Sequence, residues 1–69
     1  MAIVKVIEII AQSEKGFDDA ARTAVKEVSK TVKNIRSLYI ENFSCVVEGD
    51  RIVGYRVNAK VSFIVEGRE

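Results

Sequence analysis

The hydrophobic rhythm of the chain changes along its length. Residues 2–11, AIVKVIEIIA, are rich in Val and Ile, hold no helix breaker and alternate only weakly around Lys5 and Glu8. Such a run predicts a strand covered on much of both faces. The polar stretch Gln12, Ser13, Glu14, Lys15 and Gly16 then reads as a connection, with Gly16 serving as a helix N-cap. From Phe17 the apolar positions are Phe17, Ala20, Ala21, Ala24, Val25, Val28, Val32 and Ile35, spaced by three and four. That spacing predicts one amphipathic helix over 17–35, about five turns long. Asp18 and Asp19 fall in its first turn, where the helix dipole favours carboxylates. Arg22, Lys26, Glu27, Lys30 and Lys33 form the opposite, solvated face.

After Arg36 the period becomes that of extended chain on either side of Glu48-Gly49-Asp50-Arg51. Gly-Asp between two β-rich runs is a two-residue hairpin signal. With Gly49 and Asp50 as the loop, Val47 faces Ile52, Val46 faces Val53, Ile40 faces Ala59 and Leu38 faces Val61. One face then collects Leu38, Ile40, Val46, Val53, Tyr55, Val57, Ala59, Val61 and Phe63, the surface expected to receive the helix. The other carries Ser37, Tyr39, Glu41, Phe43, Cys45 and Val47 on one strand, and Ile52, Arg56, Asn58, Lys60, Ser62 and Ile64 on its partner. One helix cannot cover both sides of a sheet. Tyr39, Phe43, Val47 and Ile64 are therefore expected in water beside polar groups, as at a subunit interface or a ligand surface. Scattered surface hydrophobics are the plainer alternative.

The fold class is thus α+β: β-α-β-β, a three-stranded antiparallel sheet wrapped about one amphipathic helix, in a single domain over 1–69. A chain of 69 residues buries only roughly 60% of the surface its unfolded form exposes. One cysteine allows no internal disulfide, so a metal or, ahead of it, self-association is expected. The absence of histidine excludes histidine acid-base and metal chemistry within one chain, and the single cysteine excludes a cysteine-cluster zinc site. A net charge of +1 lacks the basic footprint of a duplex-binding protein. No apolar run approaches a membrane span, no signal peptide is discernible, and an unpaired thiol suits a reducing compartment; a cytoplasmic location is expected.

Several short segments together carry a family likeness: Lys5-Val6-x-Glu8, the Ser13 loop, Phe17-Asp18-Asp19-Ala20-Ala21, Lys30-Thr31-Val32-x-Asn34-Ile35-Arg36, Gly49, Tyr55-x-Val57 and Val61-x-Phe63. In this order and spacing, which run almost end to end, the sequence resembles the dodecins. These are small strand-helix-strand-strand proteins that assemble into hollow dodecamers and bind flavin. The resemblance implies a homododecamer that sequesters or buffers a small ligand, flavin (riboflavin, FMN or FAD) first among them. It also implies that a metal ion is possible at a symmetry axis.

The two positions that matter most for flavin depart from the family pattern. Where flavin-binding dodecins place a tryptophan that stacks on the isoalloxazine ring, this chain has Ser37. Where they typically place a glutamine that hydrogen-bonds the polar edge of the ring, it has Arg56. Ser37 and Arg56 are the candidate cofactor-binding residues, on one outward face and in a pocket between subunits. Loss of the stacking surface predicts flavin binding that is weakened, since such stacking is worth roughly 1–3 kcal/mol. Arg56 can stack by its guanidinium plane or hold an anion but accepts no hydrogen bond; the alternative is a structural pair with a carboxylate such as Glu41.

Other functions are weighed beside this one. A shell that has lost flavin, or takes another anionic ligand, is the first alternative. A single-stranded nucleic-acid binder using Tyr39, Phe43, Arg56 and Lys60 on an open sheet is a distant one. Cys45, placed on the outward face, has no base beside it in sequence, and Glu8 is expected to pair with a basic residue of the assembly. Asp18 and Asp19 lack the ligand number calcium requires. No spacing sets an acid against a base, so an enzyme is not expected.

Overall fold

The structure is a computed structural model, and it describes residues 2–66. Strand β1 spans Ile3–Ser13, helix α1 Phe17–Val28, strand β2 Ile35–Glu48 and strand β3 Arg51–Glu66. β3 is central, antiparallel to β1 on one side and to β2 on the other. The expected β-α-β-β sheet-and-helix architecture is therefore the one adopted.

α1 begins at Gly16, whose carbonyl accepts the amide of Ala20 at 3.1 Å. Asp18 and Asp19 occupy its first turn. Ser13 ties the preceding loop to the helix: its hydroxyl meets the Asp19 carboxylate at 2.6 Å and accepts the Lys15 amide at 2.9 Å.

The helix is shorter than the apolar spacing predicts, ending at Val28 rather than Ile35. The carbonyl of Val28 accepts both the Thr31 and Val32 amides, a tight turn that closes the helix. Asn34 then takes a positive φ of 66°, which asparagine tolerates better than most residues, and the chain enters β2. Val32 and Ile35 continue the apolar spacing by coincidence of a turn, because β2 is already extended at Ile35.

The core lies between α1 and one face of the sheet. Ala20 and Ala24 close over Val57, Ala59 and Val61, and all five are buried. Two alanines on the helix let its axis approach β3 closely, so the five side chains exclude water with little volume. Phe17 extends this contact toward the hairpin, with ring centroids 5.0 Å from Phe43 and 5.2 Å from Tyr55, both edge-to-face.

The molecule measures 54 × 20 × 14 Å, with a radius of gyration of 14.2 Å. A compact chain of this length would have about 11 Å. The excess comes from the hairpin, which runs beyond the end of the helix and leaves much of its surface in water.

Candidate functional site

Three irregularities decide which side chains share the outward face. In the hairpin, Glu48 faces Arg51 and Val47 faces Ile52, as expected, and so do Ile40 with Ala59 and Leu38 with Val61. Between these stretches the pairing slips by one: Val46 faces Gly54, Cys45 faces Tyr55, Ser44 faces Arg56 and Phe43 faces Val57. The slips fall at Val46/Val47 and at Ile40/Asn42, with a third at Ile35/Ser37. An extra residue in one strand reverses the parity of everything beyond it.

Phe43 and Cys45 therefore turn to the helix side, not outward, and Val47 and Ile52 follow by alternation. Val46 turns outward, where it was expected to meet the helix. Phe43 packing on Phe17 removes one of the two rings from the open-sheet platform that a nucleic-acid binder would use.

The outward face is built from Val4, Val6, Glu8, Ile10 and Gln12 of β1, from Gly54, Arg56, Asn58, Lys60 and Ser62 of β3, and from Ser37, Tyr39, Asn42, Ser44 and Val46 of β2. β1 is not covered on both sides, as its apolar run suggested. Val4, Val6 and Ile10 are 53%, 54% and 63% exposed, and Tyr39 is 66% exposed.

Ser37 and Arg56 lie on this one face, as expected, but the chain does not bring them together. Ser37 faces Ser62, and the two hydroxyls share a hydrogen bond. Arg56 lies six residues back along β3, about 20 Å away at the rise of a strand.

Arg56 is not paired with Glu41. Its Nε and Nη2 donate to a single acceptor, Gln12 Oε1, at 3.2 and 2.8 Å. Gln12 comes from β1, which runs two residues further than the apolar stretch indicated and so carries this side chain onto the sheet. Its amide nitrogen lies over Gly54, where a Cβ would come within 3.1 Å of it. Neither Gln12 nor Gly54 stood out in the sequence, although the period-two series Val4, Val6, Glu8, Ile10, Gln12 leads to the first.

Midway between the two ends sits a charge cluster. Lys60 Nζ meets Glu41 Oε2 at 3.2 Å, and Glu8 stands directly across from Lys60 on β1. The Glu41 hydrogen bond and charge, with smaller help from Glu8 and Tyr39, hold the Lys60 ammonium above its ordinary value of 10.5. A shallow depression lined by Glu8, Ile10, Glu41 and Asn58 adjoins it. On the far side of the molecule, Arg22 bonds to Asp18 at 3.0 Å and holds that carboxyl below 3.8. Among the described residues no three acidic or cysteine side chains gather as a metal site, and no helix is long and apolar enough to cross a membrane.

Comparison with known proteins follows from this geometry. The dodecin family model matches residues 3–66. Among solved structures, the dodecin from Streptomyces davaonensis superposes with a TM-score of 0.89 at 23% identity, covering 96% of this chain and 97% of its own. The dodecin from Streptomyces coelicolor gives 0.90 at 24% identity, covering 97% and 96%. A calcium dodecin from Mycobacterium tuberculosis, described as calcium-chelating with a novel calcium-binding site, gives 0.81 at 29% identity, covering 97% and 96%. Comparison with curated protein sequences finds no match.

Proposed function

The chain belongs to the dodecin family, and on that footing we propose that it forms a hollow shell of twelve copies that binds and sequesters a small ligand, flavin first among the candidates. The observation that carries this reading is the outward face. Val4, Val6, Ile10 and Tyr39 stand in water there, interleaved with polar side chains, on a sheet whose helix covers only the other side. A second copy of the chain is the partner that a self-assembling family supplies for such a surface.

In this reading Ser37 and Arg56 line the ligand pocket. Because about 20 Å of β3 separates them within one chain, a pocket that uses both takes Ser37 from one copy and Arg56 from another. The fit to a flavin is partial. Arg56 offers N–H donors to the ring carbonyls or to an anionic tail, whereas Ser37, bonded to Ser62, offers no platform for the ring. Binding is therefore weaker than in a relative with an aromatic side chain at that position. The same Ser37–Ser62 pair favours the second reading, a shell that has given up flavin for another ligand.

The protein is read as a binder and not a catalyst. The two groups whose protonation is displaced, Asp18 and Lys60, are engaged in ion pairs at the surface, with Arg22 and with Glu41. A cation at an assembly axis would draw its carboxylates from several copies. The unpaired Cys45 supports a cytoplasmic setting.

Quenching of flavin fluorescence in a titration of the assembled protein tests the pocket. Ser37→Trp restores a stacking surface and is expected to tighten riboflavin by roughly fivefold to 150-fold, from about 1–3 kcal/mol per stacked ring. An affinity equal to the parent's would place the pocket elsewhere.

A further inference from the structure

The hairpin carries a second uncovered apolar surface, apart from the outward face. β1 stops at Ser13, opposite Tyr55, and α1 begins with Phe17 against Phe43 and Tyr55. From there to the turn, β2 and β3 continue as a two-stranded ribbon that neither β1 nor the helix accompanies. A helix of 12 residues is about 18 Å long, against a molecular length of 54 Å. The helix side of this ribbon is a shelf of Phe43, Cys45, Val47 and Ile52. All four are exposed, and the three larger ones are more than half in water.

The slips in the hairpin build this shelf. Those at Ile40/Asn42 and Val46/Val47 bring Phe43 and Cys45 round to the helix side, in one row with Val47 that continues the Phe17 cluster toward the turn.

The shelf and the exposed apolar residues of β1 lie on opposite sides of the sheet and toward opposite ends of it. Cys45 pairs with Tyr55 and Val6 with Ser62, so about 23 Å of β3 separates the two within one chain. Covering each patch with its own kind takes two different isologous contacts. A heterologous contact, the shelf of one copy on β1 of the next, covers both patches of every copy with one junction and carries on beyond two copies. The patches match in size, three large apolar side chains each. Their surroundings match in charge: the tip beside the shelf bears Glu48 and Asp50 along with Arg51, and the end that holds Val4 and Val6 bears Lys5, Lys33 and Arg36.

We propose that the hairpin shelf of one copy, built on Phe43, Val47 and Ile52, packs on the outward side of β1 of the next copy, at Val4, Val6 and Ile10. This rests on the reading of the chain as one that assembles with itself, and it names the two unlike surfaces that meet.

Cys45, the one thiol of the chain, stands on the shelf and reports the contact. The parent, Val6→Cys, and Val6→Cys combined with Cys45→Ser are each treated with diamide as assembled and run on non-reducing denaturing gels beside native mass spectra. A disulfide spans Cα atoms no more than about 7 Å apart, so a link between positions 6 and 45 joins two copies. The parent and the double variant are expected to run as single chains. Val6→Cys alone is expected to link, with most chains in species larger than a dimer, because each chain gives one thiol to each neighbour. A parent dimer joined through Cys45 would put shelf against shelf, and a dimer of the double variant would put β1 against β1; either overturns the inference. So would single chains from all three proteins, and from Ile10→Cys, while the native mass still shows an assembly. A native mass of one chain for the parent would overturn self-assembly itself, and this contact with it.

Discussion

On the side of the sheet that meets α1, Ala20 and Ala24 close over Val57, Ala59 and Val61, and all five are buried. On the other side the same strands leave Val4, Val6, Ile10 and Tyr39 more than half exposed. The apolar side chains are of similar kind on both sides; what differs is whether the chain itself supplies the cover. The helix is three turns long, from Phe17 to Val28, and it reaches only one face and only part of the 54 Å length. The inner face therefore belongs to folding; the proposed assembly assigns the outer face to association, which would couple the stability of this small chain to its own concentration.

Substituting a carboxylate on each side separates the two roles and has the largest expected effect. Val61→Asp buries an unpaired charge against Ala20 and Ala24 and should cost about 3–5 kcal/mol, enough to abolish the helical and strand circular dichroism of so small a domain. Val6→Asp lies in water and should leave the spectrum of the single chain in place while removing the high-mass species. Equal unfolding by both would erase the distinction between the faces. Next comes Gly49→Ala at the hairpin tip, where the φ of 64° strains any side chain although nothing crowds it. A loss of about 1 kcal/mol in urea unfolding is expected, and it should be equal whether or not the copies are assembled.

The smallest effects come from the exposed ion pairs. Lys60, raised by Glu41, contributes stability at neutral pH and below that is lost as pH climbs through its raised value, above 10.5. Glu41→Gln should flatten that alkaline limb of the urea midpoint. Asp18, lowered by Arg22, contributes stability above pH 3.8 that is lost as acid protonates it below that value, so Asp18→Asn should flatten the acid limb. The Asp18 effect is on the inner-face helix and should be the same in single chains and assemblies, and both should fade with salt.

The sheet, the helix start and the hairpin tip were legible because each rests on a local signal: apolar spacing, acidic residues behind Gly16, and Gly-Asp between β-rich runs. The helix end was not, since Val32 and Ile35 fall on the helical period while Asn34 turns the chain through a positive φ. The faces of Phe43, Cys45 and Val46 were misplaced for a different reason. A slip of one residue at Ile40/Asn42 and another at Val46/Val47 carry no composition signal, yet between them they invert every side chain of the intervening stretch. Ser37 and Arg56 were found on the outward face because the slips at Val46/Val47 and Ile40/Asn42 cancel before the pairing reaches Ser37, and because β3 keeps its own alternation from Gly54 to Ser62. Gln12 was hidden by the polar stretch it opens, which looked like loop until β1 was seen to run to Ser13.

Native mass spectrometry of the purified protein, with riboflavin and FMN added in turn, tests the central claim most directly. The proposed assembly predicts twelve copies in one species, carrying flavin mass. A monomer or dimer at micromolar concentration would contradict it, and would leave Val4, Val6, Ile10 and Tyr39 as a surface for a different protein.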